Sequence, residues 1–69
     1  MKLSARNILK GKVKKVTAGA VNSEIVLELS GGAEVVSIIT KESAQNLGLA
    51  PGKVAYAIIK ASNVMIGVD

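Results

Sequence analysis

The chain has no cysteine, no histidine, no tryptophan and no phenylalanine, and its one aromatic residue is Tyr56. Each absence removes a class of function. Without cysteine there is no disulfide framework, no thiolate nucleophile and no zinc–thiolate centre. Without histidine the commonest acid–base side chain and the commonest metal ligand are both missing. The only side-chain carboxylates are Glu24, Glu28, Glu34, Glu42 and Asp69, too few for a dense calcium or magnesium cage. The chain is a poor candidate for an enzyme. No apolar run approaches the roughly 20 residues of a membrane span, and the N-terminus lacks the apolar segment of a secretory leader. A cytoplasmic location is the expectation.

What is present is aliphatic. Apolar residues make up 49% of the 69 residues, nearly all of them Val, Ile, Leu and Ala. The length allows a single domain, 1–69. A domain this small buries only about 60% of the surface its unfolded chain exposes. Chains below roughly 70–80 residues usually need disulfides, a metal or oligomerisation as support. The first is impossible here and the second is short of ligands. Part of the aliphatic surface is therefore expected to be buried between subunits, in a homo-oligomer. The net charge is +4, with Lys2, Arg6, Lys10, Lys12, Lys14 and Lys15 all in the first fifteen residues. That skew favours an anionic partner. Lys10, Lys12, Lys14 and Lys15 also read as a solvated strand edge, protected from aggregation by charge.

Alternation and turn residues divide the chain into short strands. The first runs from about Asn7 to Ala18, with Val13 between Lys12 and Lys14 and β-branched residues at Val16 and Thr17. Gly19 offers a turn. In the second, Val21 to Ser30, Val21, Ser23, Ile25, Leu27 and Leu29 share a face opposite Asn22, Glu24, Val26 and Glu28, the pattern of a half-buried strand. Gly31-Gly32 supplies the positive φ angles of a tight hairpin. The third strand, Ala33 to Ile39, carries Val35, Val36, Ile38 and Ile39 and is expected to be buried on both faces. Thr40 to Gly48 reads as one short helix, with Thr40 as N-cap, Glu42 in the first turn and Gly48 at the end. After a Pro51-Gly52 turn, Lys53 to Ala61 is a fourth strand and Asn63 to Val68 a fifth. The expected fold is all-β with one short helix: a five-stranded OB-like β-barrel in the order β-β-β-α-β-β.

Three short clusters of polar residues fit neither an alternating face nor a turn. They are Ser4-Ala5-Arg6-Asn7, then Thr40 with Ser43, then Lys60-Ala61-Ser62. All three are rich in hydrogen-bond donors, and Glu42 is the only carboxylate within any of them. A tetrahedral dianion has only acceptors, so a site for it must present donors and positive charge. Arginine supplies a planar fork and lysine a point charge, and helix starts add free N–H groups. Each cluster also has a plain structural reading. Ser4 can be a terminal residue without contacts, and Arg6 and Asn7 can make ordinary surface hydrogen bonds. Thr40 caps the helix in any case. Lys60 can point to water, and Ser62 can bond its own backbone in a turn.

Ser4-Ala5-Arg6-Asn7 before a lysine-rich strand, Ile39-Thr40 leading into a helix that ends Leu47-Gly48-Leu49, the Gly52-Lys53 turn, and Ile58-Ile59-Lys60-Ala61-Ser62 together resemble the molbindins. These are small molybdenum-binding Mop proteins, whose module recurs as the Mop or TOBE domain of regulators and transporter ATPases. The resemblance covers essentially the whole chain. It implies an OB-like barrel assembled as a hexamer, a trimer of dimers. It also implies molybdate, or tungstate, held between subunits for intracellular storage without catalysis. Residue by residue, it assigns Ser4, Arg6, Lys60, Ala61 and Ser62 to the oxyanion, together with the helix-start hydroxyls of Thr40 and Ser43. Ala5 and Asn7 lie in the motif with less claim to direct contact. A second kind of site near symmetry axes is also implied, with Gly19, Ala20, Val21 and Asn22 as its candidates. The sequence carries no helix-turn-helix and no nucleotide-binding domain, so storage, buffering or delivery is expected rather than regulation or transport.

Direct coordination of the metal is not expected, because soft ligands and imidazole are lacking. The competing class is a small OB-like nucleic-acid-binding module, for which the basic first strand would track phosphates. Stacking platforms need aromatics, and Tyr56 is alone, so this reading ranks second. An assembly domain without a ligand is the third.

Overall fold

Three antiparallel strands form from the alternating first half of the chain, and a fourth follows the helix. Strand β1 spans Asn7–Ala18, β2 Asn22–Leu29, β3 Glu34–Thr40 and β4 Val54–Ile59, with helix α1, Lys41–Asn46, between β3 and β4. The computed structural model describes residues 1–69. The strands make one curled half-barrel in the order β3-β2-β1-β4, antiparallel throughout. No helix is long and apolar enough to cross a membrane.

β1 is the strand that both halves of the sheet share. Its first half, Asn7 to Lys12, pairs with β4, and its second half, from Gly11 on, pairs with β2. The two pairings overlap at Gly11 and Lys12. A Cβ on Gly11 would lie 2.5 Å from the Glu28 carbonyl oxygen and 3.0 Å from Leu27 Cγ, so the strands approach where only glycine fits. Just beyond, the register slips between Val13 and Lys15, a bulge that leaves Lys14 without a partner and sharpens the local twist. The Lys14 ammonium donates to the Glu34 carboxylate at 2.5 Å and stands 3.9 Å from Glu28. The hydrogen bond to Glu34, followed by the charges of Glu34 and Glu28, raises the Lys14 pKa above its ordinary 10.5. Lys10 to Lys15 are therefore not a blunted sheet edge, as their spacing allowed. They lie on an inner strand, and one of them ties β1 across β2 to β3.

The alternation in β2 is realised. Ser23, Ile25 and Leu27 are buried, whereas Asn22, Glu24 and Glu28 are exposed. Val13, Ile25, Leu27 and Ala44 form the core, with Val16, Leu29, Val35, Ile39 and Leu49 half-buried around it. The Gly31-Gly32 hairpin turn has φ angles of 93° and 94°, and Leu29 N–H reaches Ala33 O across it at 2.7 Å. Thr40 caps α1 as expected, its Oγ1 accepting the Ser43 N–H at 3.0 Å. At the other end of the helix, Lys53 Nζ donates to the Leu47 carbonyl at 2.6 Å, satisfying one of the carbonyls that a helix terminus leaves open.

Two expectations are not met within the single chain. β3 is buried on one face only: Val35 and Ile39 turn inward, but Val36 and Ile38 are each 60% exposed. A fifth strand does not form either. Ala61–Asn63 is a 3-10 turn, and the chain leaves it extended at Val64, φ −93° and ψ 121°, without pairing. A strand needs a neighbouring backbone to satisfy its N–H and C=O groups, and no strand of the same chain runs beside residues 64–69. Met65, Ile66 and Val68 stand about nine-tenths exposed.

The surface area expresses the same deficit. A folded monomer of 7.1 kDa exposes about 4,100 Å² on the usual scaling, whereas this chain exposes 5396 Å². Five residues are fully buried.

Two outcomes follow from the β1 junction. Gly11→Ala forces β1 away from β2 and lowers unfolding stability by about 1–3 kcal/mol in urea titrations; an unchanged midpoint would mean that the strands can part there without cost. The Lys14 pair has an alkaline limit. Its folded-state pKa is raised, so the stability it adds is fully present below the unfolded value and is lost as pH climbs through the folded one. The stability difference between wild type and Lys14→Gln is thus flat through neutral pH and closes only above pH 10.5. A difference that closes near pH 8 would exclude this ion pair as its source.

Candidate functional site

The sheet gathers the donor clusters into two groups at opposite ends of β1. At the first end, Asn7 pairs in register with Ile59, and Asn7 Nδ2 donates to the Ile59 carbonyl at 3.2 Å. Arg6 and Lys60 are the next residues outward on the two strands. The antiparallel ladder thus brings the first and third clusters together, although they lie at opposite ends of the sequence. Ser4, Arg6, Lys60, Ala61 and Ser62 are exposed, and Ala5 and Asn7 are half-buried. The chain turns through Ala61–Asn63, where Asn63 N–H closes on Lys60 O at 2.9 Å and Val64 N–H on Ala61 O at 3.2 Å. The N–H groups of Ala61 and Ser62 donate to no backbone carbonyl, so this corner offers two amides, the two hydroxyls of Ser4 and Ser62, an ammonium and a guanidinium.

At the second end, Asn22 pairs with Thr40, and Lys41 N–H donates to Val21 O at 2.7 Å. The Gly19–Asn22 turn, closed by Gly19 N–H to Asn22 O at 2.7 Å, therefore sits against the start of α1. Thr40 Oγ1 donates to Ser43 Oγ at 2.8 Å while accepting the Ser43 N–H. That exchange spends the Thr40 proton and leaves the Ser43 hydroxyl proton free to donate outward. Gly19, Ala20, Val21, Asn22, Thr40 and Ser43 are all exposed.

Beside this end lies an open hollow of about 150 Å³, lined among others by Ser23, Lys41, Ala44 and Gln45. No motif singled out Lys41 or Gln45. The position of Lys41 directly after the N-cap was the available signal, because the first helical residue stands beside whatever the cap faces. Ser23 is the only buried polar residue, and its place on the inward face of β2 was legible from the alternation.

The two ends do not meet within one chain. β1 has 12 residues, about 35 Å if straight, and the longest extent of the molecule is 35 Å. Each end presents donors; the residues of the first include no carboxylate, and the second has Glu42 in the first turn of α1. The ion pairs of the chain are those of Lys14, in the middle of the sheet.

Comparison with known proteins is consistent along the whole length. The TOBE domain model matches residues 3–66. A probable molybdenum-pterin-binding protein of Haemophilus influenzae is 46% identical over 69 residues, covering 100% of both chains. Molybdenum-pterin-binding protein 3 of Clostridium pasteurianum is 50% identical over 66 residues, covering 96% of this chain and 97% of its own. Among solved structures, the cytoplasmic molybdate-binding protein ModG with molybdate bound superimposes with a TM-score of 0.96 and 56% identity, over 100% of this chain and 49% of that one. Matched from end to end in sequence and in fold, the chain belongs to the TOBE domain family, among the relatives of the molybdenum-pterin-binding proteins.

Proposed function

We propose that this chain binds molybdate, or the closely similar tungstate, as an intact tetrahedral oxyanion, and that it does so between copies of itself as an intracellular store rather than as an enzyme. The observation that carries this reading is the division of the donors into two groups, one at each end of β1. An oxyanion a few ångströms across cannot touch both ends of one chain. A second copy running the opposite way places the Arg6–Lys60 corner of one chain against the Thr40–Ser43 corner of the other, and does so twice. Lys60 and Arg6 then supply charge, and Ser4, Ser43, Ser62 and the amides of Ala61 and Ser62 supply directed hydrogen bonds. The Gly19–Asn22 turn, beside the second end, is the candidate for a further site where several copies meet. Relatives that bind molybdenum-pterin or molybdate support the choice of ligand, and the cytoplasmic relative supports the location.

The same arrangement accounts for the expected fifth strand. β3 and β4 are the two unpaired edges of the half-barrel, Val64 is extended, and residues 64–68 are exposed and mostly apolar. In the oligomer, a hexamer built as a trimer of dimers, this segment completes the barrel of a neighbour. Because the ligand then binds only the assembled form, molybdate stabilises the assembly by mass action.

Calorimetry tests the site. Lys60→Ala removes a charge-assisted hydrogen bond of about 1.5–3 kcal/mol, so molybdate affinity should fall roughly 10- to 100-fold while the fold persists. Unchanged affinity would take Lys60 out of the site. Mixing unfolded Lys60→Ala and Ser43→Ala chains and refolding them together should recover some sites of wild-type affinity, because some interfaces then pair an intact Lys60 with an intact Ser43. No recovery would place both residues in a site belonging to one chain.

The assembly has its own test. Truncation after Asn63 should reduce the wild-type oligomer to smaller species in native mass spectrometry. Retention of the full subunit number would show that the C-terminal segment covers nothing.

A further inference from the structure

The hollow between α1 and the ends of β1 and β2 belongs to neither donor group. Its roof is one side of the helical segment, where Lys41, Ala44, Gln45 and Gly48 follow at helical spacing. Its floor is the inward face of the sheet, where Ala18 and Ser23 stand opposite each other in register, and paired residues share a face. Half-buried Val16 and Leu49 complete the lining. Thr40 and Ser43, the two hydroxyls assigned to the oxyanion, do not line it.

Ser23 is the anomaly in this hollow. The inward positions of β2 run Ser23, Ile25, Leu27, and Ser23 is only 2% exposed. Its hydroxyl takes part in none of the side-chain hydrogen bonds of the chain. No unpartnered side-chain oxygen is sealed inside the molecule, so what remains accessible of Ser23 Oγ opens into the hollow it lines. A nearly enclosed hydroxyl without a partner costs stability, and native structures satisfy such groups. The other two polar side chains of the lining are in the same condition. Lys41 is in no ion pair, and neither it nor the Gln45 amide makes a side-chain hydrogen bond. Lys14 and Lys53, by contrast, each hold an acceptor of their own chain.

The lining defines the chemistry of an occupant. Lys41 is its only charged residue, so the occupant carries a negative charge. Val16, Ala18, Ala44 and Leu49 offer only aliphatic side chains. A tetrahedral dianion has acceptors on every side and would leave oxygens desolvated against these methyl groups. An organic anion with one charged end and a short alkyl body would not. Size sets the length of that body. The hollow measures about 150 Å³, the volume of an engineered cavity that takes benzene, or about six heavy atoms. A four-carbon monocarboxylate has that size.

We propose that this hollow binds a short-chain aliphatic monocarboxylate. The carboxylate receives the Lys41 ammonium from the roof and the Ser23 hydroxyl from the floor, with the Gln45 amide as a further donor. The alkyl chain lies on the aliphatic part of the lining. The site uses none of the residues assigned to the oxyanion and does not rest on that reading.

Butyrate is the probe. Titrated into the tens of millimolar against the isotope-labelled full chain, it should shift the amide resonances of Ser23, Lys41 and Gln45 along a saturating curve. Those of Arg6 and Lys60 should stay in place. The n-butylammonium ion, with the same tail and the opposite charge, should produce no such curve. Lys41→Gln removes a charge-assisted hydrogen bond and should weaken butyrate binding about 10- to 100-fold. Ser23→Ala, which removes a hydroxyl and no charge, should weaken it a few-fold. Lys41 is exposed, so its variant keeps the fold, as circular dichroism checks. Absence of a saturating shift, an equal response to n-butylammonium, or unchanged affinity in Lys41→Gln would overturn the site. Displacement of butyrate by saturating molybdate would overturn it too, by making the hollow part of the oxyanion site. Calorimetry with molybdate on the same sample reads the other proposal separately: absence of molybdate binding would overturn the proposed function and leave the carboxylate site standing.

Discussion

Strand β1 has to serve two neighbours along its 12 residues, β4 on its first half and β2 on its second. It manages this by yielding where the pairings overlap. Gly11 admits the backbone of Glu28 to a distance that any side chain would block, and the bulge at Lys14 sharpens the turn of the sheet. The half-barrel, the small core under it and the distance between its ends all depend on that bent strand. So does the fate of the sheet edges: β3 and β4 end on opposite sides of the curl with no strand of the same chain between them.

The functional reading is a consequence of the same geometry. Antiparallel pairing of β1 with β4 joins residues from the two ends of the sequence, Arg6 and Lys60, at one corner. Pairing of β2 with β3 joins the Gly19–Asn22 turn to the helix start at the other. A long strand separates the corners. Donor-rich corners whose clusters hold Glu42 as their one carboxylate suit an oxyanion, and on the proposed reading another copy supplies the half that one corner lacks. On the proposed reading, ligand binding and assembly form a single equilibrium, and the apolar surface that the single chain leaves uncovered is the surface that assembly would bury.

Local patterns in the sequence hold where neighbours along the chain decide the outcome. Thr40 caps its helix because a hydroxyl at that position finds the N–H three residues on. Gly31 and Gly32 turn because they alone accept the required φ angles. The inward face of β2 follows from its period of two. Such patterns fail where a distant partner decides. The lysines of β1 have the composition of an edge, but edge or interior is a property of the sheet, and Lys14 faces Glu34 only because β2 carries β3 back alongside. Val36 and Ile38 look like core residues, but burial on the second face requires a layer this chain does not contain. Residues 64–68 have the character of a strand and no partner in their own chain.

The sequence by itself determined the local conformations, the polarity of each face of β2, the aliphatic surplus and the chemical character of the three donor clusters. These depend on side-chain identity and short-range spacing, which the order of residues states directly. The tertiary structure alone decided which clusters share a corner, which strand is central, and that the two corners lie at opposite ends of β1. Those outcomes depend on register and on the bend at Gly11, set by contacts between residues distant in sequence.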